Sequence, residues 1–505
     1  MAAYFRNLPF FVILIFVAGG AMLAPSAVAL AWKDYGTARV FLYTGLMVLM
    51  AAVLLGFASQ TPRRPPSERS HLASLFLAYL WLPLVLGMPM DQAVGNTRFI
   101  NVYLDMVSAL TTTGAEVFDP GRLSPAVHLW RGLVGWFGGL LIWITAFAVL
   151  APLNLGGYEV TSEAVVQGKV VNARGQMRAA DASNRLRKHA ARLTPIYAGL
   201  TIALTAALAA AGEEPLVAVI HAMSTLATSG ISPAGGLEGR PIGLFGEVLI
   251  FIFFLFALSR RTYSSGIGRE FRERLTKDRE IRLALFAGIV LPTLLFARHW
   301  VGALEVDDLA DGRAAFSALW GSVFTVFSFL TTTGFVSDAW GDARAWSGLQ
   351  TPGLLLVGLV LMGGGVATTA GGVKLLRVYA LYKHGTREMG KLIYPNSVAG
   401  AGRLGRRIRR EGAYIAWIVF MLLVLSIATV MTALAATGLD FESATILAIS
   451  SLTTTGPLAS VAGAQPIDYF TLSDMAKLIC AAAMIVGRIE TLVMIALLNP
   501  GFWRD

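Results

Sequence analysis

A short motif that ends in glycine occurs four times in the chain, at intervals of about a hundred residues. Every copy has serine six positions before the glycine, leucine four before it and threonine two before it, and the copies lie at 108–114, 224–230, 328–334 and 450–456. Repetition at a regular spacing indicates a chain built from four similar units. A recurrent helix end is the simplest alternative, because threonine and glycine are common there. Three shared positions in four copies favour a common function instead.

The composition restricts the class of protein. Of the 505 residues only 14% are charged, and the mean hydropathy is +0.64. A soluble protein of this size needs a more charged surface, so the chain is predicted to be an all-α polytopic membrane protein. A single cysteine, Cys480, excludes an internal disulfide, and the six scattered histidines lack metal-ligand spacing. Hydrolase and Walker-type motifs are absent, so we expect neither enzymatic activity nor a nucleotide site on this chain.

Ten apolar stretches are long enough to cross a bilayer, which takes about 20 helical residues. They lie at 8–32, 37–58, 72–90, 129–152, 193–212, 243–259, 281–301, 353–382, 413–436 and 475–498. The first is longer than a usual signal-peptide core, and we expect it to be retained. Four further stretches end at the repeated motif, at 99–112, 216–228, 315–332 and 441–454. Three of these have about 13 residues and reach only about 20 Å, so we interpret them as re-entrant half-helices.

The order of the stretches predicts the organisation of the chain. Two leading helices occupy residues 1–60. Four pseudo-fourfold repeats follow, each with a helix, a half-helix, a glycine bend and a second helix, around one ion pore. Their predicted bounds are 61–158, 159–270, 271–395 and 396–505.

Lysine and arginine are distributed unequally between the two sides of this arrangement. The loops at 60–71, 153–195, 259–283 and 374–412 hold 28 of them, and the segments on the other side hold 5. The positive-inside rule therefore places the basic loops and both termini in the cytoplasm and the four motifs near the outer face. The net charge of +10 is explained in this way, so no nucleic-acid partner is expected. The basic loops could contact anionic lipid or a partner protein, although a solvated loop is the simpler interpretation.

The same assignment puts a set of acidic residues on the outer side, where they could attract cations. These are Glu213, Glu214, Glu305, Asp307, Asp308, Asp311, Asp440 and Glu442. Glu116, directly after the first motif, could act at the mouth or could be an ordinary solvated carboxylate.

Glycine bends at the ends of half-helices are suited to binding a cation. Non-helical backbone at membrane depth is tolerated only when it is buried in protein or lines a watery cavity. Four such bends around one axis would present rings of carbonyl oxygens that replace the hydration shell of a monovalent cation. Glycine allows the required dihedrals, hydroxyl groups could add oxygen ligands or brace the bend, and the half-helix C-termini favour cations. The candidate ion-binding residues are Thr112, Thr113, Gly114, Thr228, Ser229, Gly230, Thr332, Thr333, Gly334, Thr454, Thr455 and Gly456.

On these motifs the chain resembles the Trk/Ktr/HKT superfamily of potassium transporters, as a bacterial Trk-type pore subunit, over nearly its whole length. In that family glycine in all four bends accompanies a preference for K⁺, so the resemblance implies that K⁺ is the transported ion. It further implies a cell inner membrane location, a homodimer and a ring of cytoplasmic nucleotide-binding regulatory subunits. The residues that follow the glycines differ among the repeats, so the ring is expected to be only pseudo-fourfold: they are Ala115, Ile231, Phe335 and Pro457.

Two further features extend the resemblance. Five glycines occur in ten residues at 363–372, each less favourable in a helix than alanine by about 1 kcal/mol, so the last helix of repeat 3 is predicted to break. The resemblance implies an intramembrane gating loop, with close helix packing as the alternative. Its residues would be Gly363, Gly364, Gly365, Thr368, Thr369, Gly371, Gly372 and Lys374. Val366 and Ala370 depart from the family pattern and predict a less polar loop.

The second feature is Arg488, which lies in an apolar stretch, where an arginine costs roughly 3 kcal/mol to insert. The resemblance places it beside the gating loop, below the bends, as a positive barrier to cations. Pairing with Glu490 is the alternative. For the whole chain, the alternative to a potassium uptake pore is the ion-binding subunit of an ATP-driven potassium pump.

Overall fold

The computed structural model describes residues 10–59, 68–151, 157, 182–259, 278–303, 312–348, 352–393, 403–490 and 493–494. Within these ranges the regular structure is helical, with no strand. Seven helices are long and apolar enough to cross a membrane. The predicted fold class, an all-α polytopic membrane protein, is confirmed. The predicted repeat boundaries near 60, 158, 270 and 395 fall outside the described residues.

The chain opens with helices that form a hairpin. α1 (Phe10–Ala21) and α2 (Leu23–Ala31) make nearly one rod, and α3 (Tyr35–Ala58) returns beside it. Asp34 begins α3 by accepting a hydrogen bond from the Thr37 amide at 3.1 Å, a normal helix N-cap. One face of α3 carries many exposed apolar side chains, as expected for a helix that contacts lipid.

Four sets of helices follow in the predicted order. The first is α4 (Glu68–Val94), α5 (Phe99–Leu110) and α6 (Pro125–Thr145), and the second is α7 (Ala182–Ala210), α8 (Pro215–Ala227) and α9 (Gly243–Leu258). The third is α10 (Arg279–Ala303), α11 (Gly312–Leu330), the short outer helix α12 (Trp340–Ser347), α13 (Gly353–Met362) and α14 (Leu375–Ile393). The fourth is α15 (Arg403–Ala435), α16 (Phe441–Leu452), the single turn α17 (Leu458–Val461) and α18 (Asp474–Ile489).

The half-helices are α5, α8, α11 and α16. Three of them have 12 or 13 residues, and α11 has 19. Proline at the first position of α8 and an Asp440 side chain that accepts from the Ser443 amide at the start of α16 fix where these two helices begin. Their last turns are almost completely buried, so the half-helices end inside the protein.

Three of the ten predicted spans contain described helices that are too short to cross a bilayer alone, which takes about 20 residues. α9 and α18 have 16 residues each, and α13 has only 10 because the chain leaves the helix at Gly363. Glu490, at φ 72°, ends α18. The third repeat therefore has the broken last helix that its glycine content predicts. α6 is extended by a π-helical turn at Ala146–Leu150, which the sequence analysis did not predict.

Candidate ion pathway

The four bends share one backbone conformation. In each, the threonine two positions before the glycine lies in the left-handed region, with φ of 54° at Thr112, 53° at Thr228, 57° at Thr332 and 53° at Thr454. β-Branched residues rarely adopt this conformation, which costs about 1–3 kcal/mol per residue. The same uncommon dihedral at four equivalent positions indicates that the surrounding protein enforces it.

Each half-helix ends in a Schellman motif that uses the backbone carbonyl of the shared serine. The amide of the residue just before each glycine donates to that serine's carbonyl. This hydrogen bond closes a turn of six residues. The distances are 2.8 Å to Ser108, 3.0 Å to Ser224, 2.9 Å to Ser328 and 2.9 Å to Ser450. Glycine usually takes the left-handed position of this motif, whereas here threonine occupies it. The simple alternative, a recurrent helix end, is therefore correct locally but does not explain why the four ends meet.

The four glycines form a closed ring. A Cβ atom built on Gly114 would lie 1.6 Å from Ser229 O, one on Gly230 2.3 Å from Thr333 O, one on Gly334 2.9 Å from Pro457 Cβ, and one on Gly456 2.2 Å from Ala115 N. Each glycine thus touches the bend of the next repeat, and the fourth touches the first. Residues a hundred positions apart come into backbone contact, and no other side chain fits at these positions. All twelve candidate ion-binding residues are buried in this ring.

The hydroxyl groups next to the glycines are used in two ways. Those immediately before the glycine are held from behind by a hydroxyl of the preceding half-helix turn. The pairs are Thr113 with Thr111 at 2.7 Å, Thr333 with Thr331 at 3.0 Å, Thr455 with Thr453 at 3.5 Å, and Ser229 with Ser224 at 3.1 Å. Among the described residues, the hydroxyls of Thr112 and Thr454 have no hydrogen-bond partner although both are buried. Of the threonines two positions before the glycines, Thr112 and Thr454 are thus the ones whose hydroxyls no described protein group occupies.

The fourth bend departs from the other three. Gly456 is not in the left-handed region, and its amide donates to Thr113 O at 2.6 Å. Pro457 starts the helical turn α17, so the carbonyls of Thr455 and Gly456 accept amides from that turn at 3.1 and 3.0 Å. A proline after the fourth glycine makes this difference, because its fixed φ suits a helix start.

A cavity of about 650 Å³ lies on the outer side of the ring. Gly230, Gly334 and Gly456 contribute to its lining, together with four acidic side chains, Glu116, Asp119, Glu238 and Asp468, and one basic side chain, Arg122. Burial is the largest cause that raises the pKa of Glu116, and the Arg131 charge opposes it. The cavity is therefore a negatively charged mouth above the glycine ring.

The described acidic residues that the charge count singled out do not line this cavity, and these are Glu213, Glu214, Asp440 and Glu442. Glu213 is buried and bound to Arg240, and Glu442 is occupied by the Ala464 amide at 2.8 Å. Glu305, Asp307, Asp308 and Asp311 lie outside the described residues. The acids at the mouth come instead from the loops that follow the bends.

The broken segment 363–374 lies directly against the inner side of the ring. The Gly371 amide donates to the Thr332 hydroxyl at 2.8 Å, and the Thr369 hydroxyl donates to Leu226 O at 3.2 Å. A Cβ on Gly371 would lie 2.0 Å from Thr453 O. The segment thus contacts the half-helix ends of the second, third and fourth repeats.

The segment is held by charged side chains from two other helices. Arg488 Nη1 donates to Thr369 O at 2.5 Å, and the Val366 amide donates to Glu280 Oε1 at 2.7 Å. Lys374 Nζ bonds Ala370 O within the segment. Val366 and Ala370 have apolar side chains, but the Val366 amide and the Ala370 carbonyl still make polar contacts.

Arg488 is buried and does not pair with Glu490. Glu490 Oε2 accepts from Arg377 Nη2 at 2.8 Å instead, which the sequence analysis did not foresee. A cavity of about 30 Å³ is lined by Arg488, Lys374 and the π-helical turn at Ala146–Leu150. This is about the volume of one water molecule.

Two buried charged contacts around the ring were missed from the sequence. Arg131 Nε bonds Asp105 Oδ2 at 2.9 Å behind the first bend. Lys477 Nζ bonds Asn101 Oδ1 at 2.7 Å and so connects α18 to the first half-helix. Both could have been noticed as charges inside apolar stretches, by the reasoning that singled out Arg488.

Comparison with known proteins agrees with this geometry. A family model described as "TrkH: Cation transport protein" matches residues 249–500. The chain is 29% identical to the Trk system potassium uptake protein TrkH of Escherichia coli strain K12, over 98% of each chain. It is 28% identical to the protein of the same name from Salmonella typhimurium, again over 98% of each. The crystal structure of the potassium transporter TrkH from Vibrio parahaemolyticus superimposes with a TM-score of 0.81 at 26% identity, covering 99% of this chain and 100% of that one. The chain thus resembles the Trk cation transport proteins over nearly its whole length, and residues 249–500 match the model of that family.

Proposed function

We propose that the chain takes up K⁺ across the cell inner membrane through the ring of four glycine bends. The observation that carries this function is the closed ring, in which each glycine contacts the next repeat and the fourth contacts the first. Backbone oxygens converge there at the C-terminal ends of four half-helices, an arrangement that suits a dehydrated monovalent cation. The threonines and serine of the bends are the proposed K⁺ ligands, with no carboxylate among them.

The ion would enter by the acidic outer cavity, lose water at the ring and pass a gate on the inner side. The gate consists of residues 363–374 together with Arg488, and the 30 Å³ cavity beside them corresponds to its closed state. A buried guanidinium adds a positive barrier, and opening requires that the loop break its contacts with Arg488 and Thr332. Ion selectivity and gating would thus depend on different residues, those of the ring and those of the loop.

Regulation would come from outside this chain. Both termini and the basic loops are assigned to the cytoplasm by the positive-inside rule, and a ring of nucleotide-binding subunits would dock on that face. Nucleotide would bind those subunits rather than this chain. We further propose a homodimer in which each protomer has its own pore.

Flux through the purified protein in liposomes tests the function. We expect K⁺ to pass without any ATPase partner, with a reversal potential that follows the K⁺ gradient. Equal rates for Na⁺ and K⁺ would remove the claim of selectivity. Flux that appears only when an ATP-hydrolysing subunit is added would favour the pump alternative.

A further inference from the structure

Glu247 is a buried carboxylate in the first half of α9 that accepts three hydrogen bonds. Trp320 Nε1 and Ser337 Oγ donate to Glu247 Oε2 at 2.6 and 2.7 Å, and the Asp338 amide donates to Oε1 at 2.7 Å. Only 3% of the residue's surface is exposed. The burial of Glu247 does not require an ion pair, because charge-assisted hydrogen bonds stabilise an ionised carboxylate.

The three donors belong to a different repeat from the acceptor. Glu247 lies on the last helix of the second repeat, whereas Trp320 is in the third half-helix and Ser337 and Asp338 lie three and four residues beyond Gly334. We call residues 335–338 the outer limb of the third bend. The carboxylate therefore fastens this limb to its own half-helix and to the neighbouring repeat.

The donor set requires a carboxylate. An ionised carboxylate only accepts hydrogen bonds, whereas an amide side chain presents one acceptor oxygen and one NH₂ group. In Glu247→Gln the NH₂ group would face either the Trp320 Nε1–H or the Asp338 N–H, and one donor would lose its partner. A glutamine of the same shape is thus a poor substitute here.

The outer limb directly follows the part of the third bend that contacts its neighbours in the ring. Gly334 is in contact with Pro457 of the fourth bend, and Thr333 O occupies the space where a side chain on Gly230 would lie. A shift of the limb therefore moves oxygens at the contacts of the third bend with both of its neighbours. In the second bend, Ser232 of the corresponding limb is held by a histidine ring, His221 Nε2, at 2.9 Å.

We propose that Glu247 is a positioning residue for ion selectivity, which sets the third bend from behind without touching the ion. This role rests on the proposed potassium function. It goes beyond the ring itself, since it assigns part of the discrimination between ions to a side chain in another repeat.

The K⁺ to Na⁺ permeability ratio of the full chain in liposomes, taken from reversal potentials, tests the role. We expect the ratio to fall by about tenfold in Glu247→Gln, corresponding to the loss of about one hydrogen bond to a charged group. Ser337→Ala and Trp320→Phe each remove a single donor and leave the carboxylate, so both should lower the ratio by less. Simple loss of stability would reduce the amount of inserted protein and leave the ratio unchanged.

Glu442→Gln is the matched control. Glu442 also accepts an amide on the outer side, from Ala464, but it holds no residue of a bend, so the ratio should stay at the wild-type value. An equal fall in the control would overturn the specific role of Glu247. If the wild type prefers K⁺ and Glu247→Gln keeps the wild-type ratio, the inference is wrong while the proposed function stands. A wild type without preference defeats the function itself. Should Glu247→Gln fail to insert, unchanged ratios in both single-donor variants overturn the inference.

Discussion

Replacing Arg488 by alanine should open the proposed gate. Arg488 Nη1 donates to Thr369 O at 2.5 Å, and this contact joins α18 to the proposed gating loop. A hydrogen bond to a charged group contributes about 1.5–3 kcal/mol. Its loss in the closed state shifts a closed-to-open equilibrium by roughly ten- to 150-fold. The removal of a buried positive charge also lowers the barrier to a cation, so both effects act in the same direction.

The shift is measured as K⁺ flux into liposomes that contain the purified chain alone. If the closed state dominates in the wild type, Arg488→Ala should raise the flux by about tenfold or more, until the open fraction saturates. Single-channel records should show a higher open probability with little change in conductance or in the preference for K⁺. Arg488→Lys keeps the charge, but the lysine side chain has a different length. The K⁺ flux of this variant should lie between those of the wild type and Arg488→Ala.

Arg98→Ala is the control for arginine removal. Arg98 also contacts an acceptor at 2.8 Å, Asp474 Oδ2, but both side chains are at least half exposed, and such pairs contribute about 0–1 kcal/mol. The flux through this variant should match the wild type. An Arg488→Ala protein that inserts normally and conducts at the wild-type rate would refute the assignment of Arg488 to the gate.

The other predictions concern the ring and its mouth. Thr332→Val removes the acceptor of a glycine amide of the gating loop, and an unpaired buried amide costs about 1–3 kcal/mol, so flux should rise at least severalfold. Gly114→Ala should abolish selective K⁺ flux because its Cβ would lie 1.6 Å from a carbonyl oxygen. Gly212→Ala is the control, because Gly212 has φ 98° and open space around it. This control should lose only about 1–2 kcal/mol of stability to backbone strain, measured by thermal unfolding. Burial raises the pKa of Glu116, so acidification should neutralise it at a higher pH than an ordinary glutamate. K⁺ entry should therefore decline as the outer pH falls through that range, and Glu116→Gln should lack this part of the decline; an identical pH profile in the variant would contradict it.

The half-helices and their bends could be predicted from the chain because their causes are local. A stretch of about 13 apolar residues is too short to span a bilayer whatever surrounds it. Glycine at the end permits a left-handed turn, and the shared serine supplies the carbonyl that closes it, at Ser108 in the first copy. The break at 363–374 is also local, because closely spaced glycines do not form a stable helix.

The partners of buried charges could not be predicted in the same way. Arg488 was recognised as costly in lipid, but its acceptor is Thr369 O, over a hundred residues away in the chain. Glu490, two residues from Arg488, bonds Arg377 instead. The alternative interpretation, a pair of Arg488 with Glu490, is thus wrong, since residues two apart point to different sides of a helix.

The charge count had the same limitation at the mouth of the pathway. It identified the side of the membrane on which acidic residues lie, which needs only the sum of charges over each loop. It did not identify which carboxylates face the cavity, because that depends on how each loop folds after its bend. Glu116 lines the cavity, whereas Glu213 is buried against Arg240.

The sequence by itself determined the repeated units: short helices, a threonine and a glycine at the end of each, and a lysine and arginine distribution that gives them a common side. These properties depend on helix length, backbone freedom and the charge of whole loops, all of which neighbouring residues specify. Only the tertiary structure decided that Gly114, Gly230, Gly334 and Gly456 close into a ring and that Glu247 fastens the third bend from the second repeat. Contacts between units a hundred residues apart depend on how whole helices pack, and no local pattern in the chain encodes them.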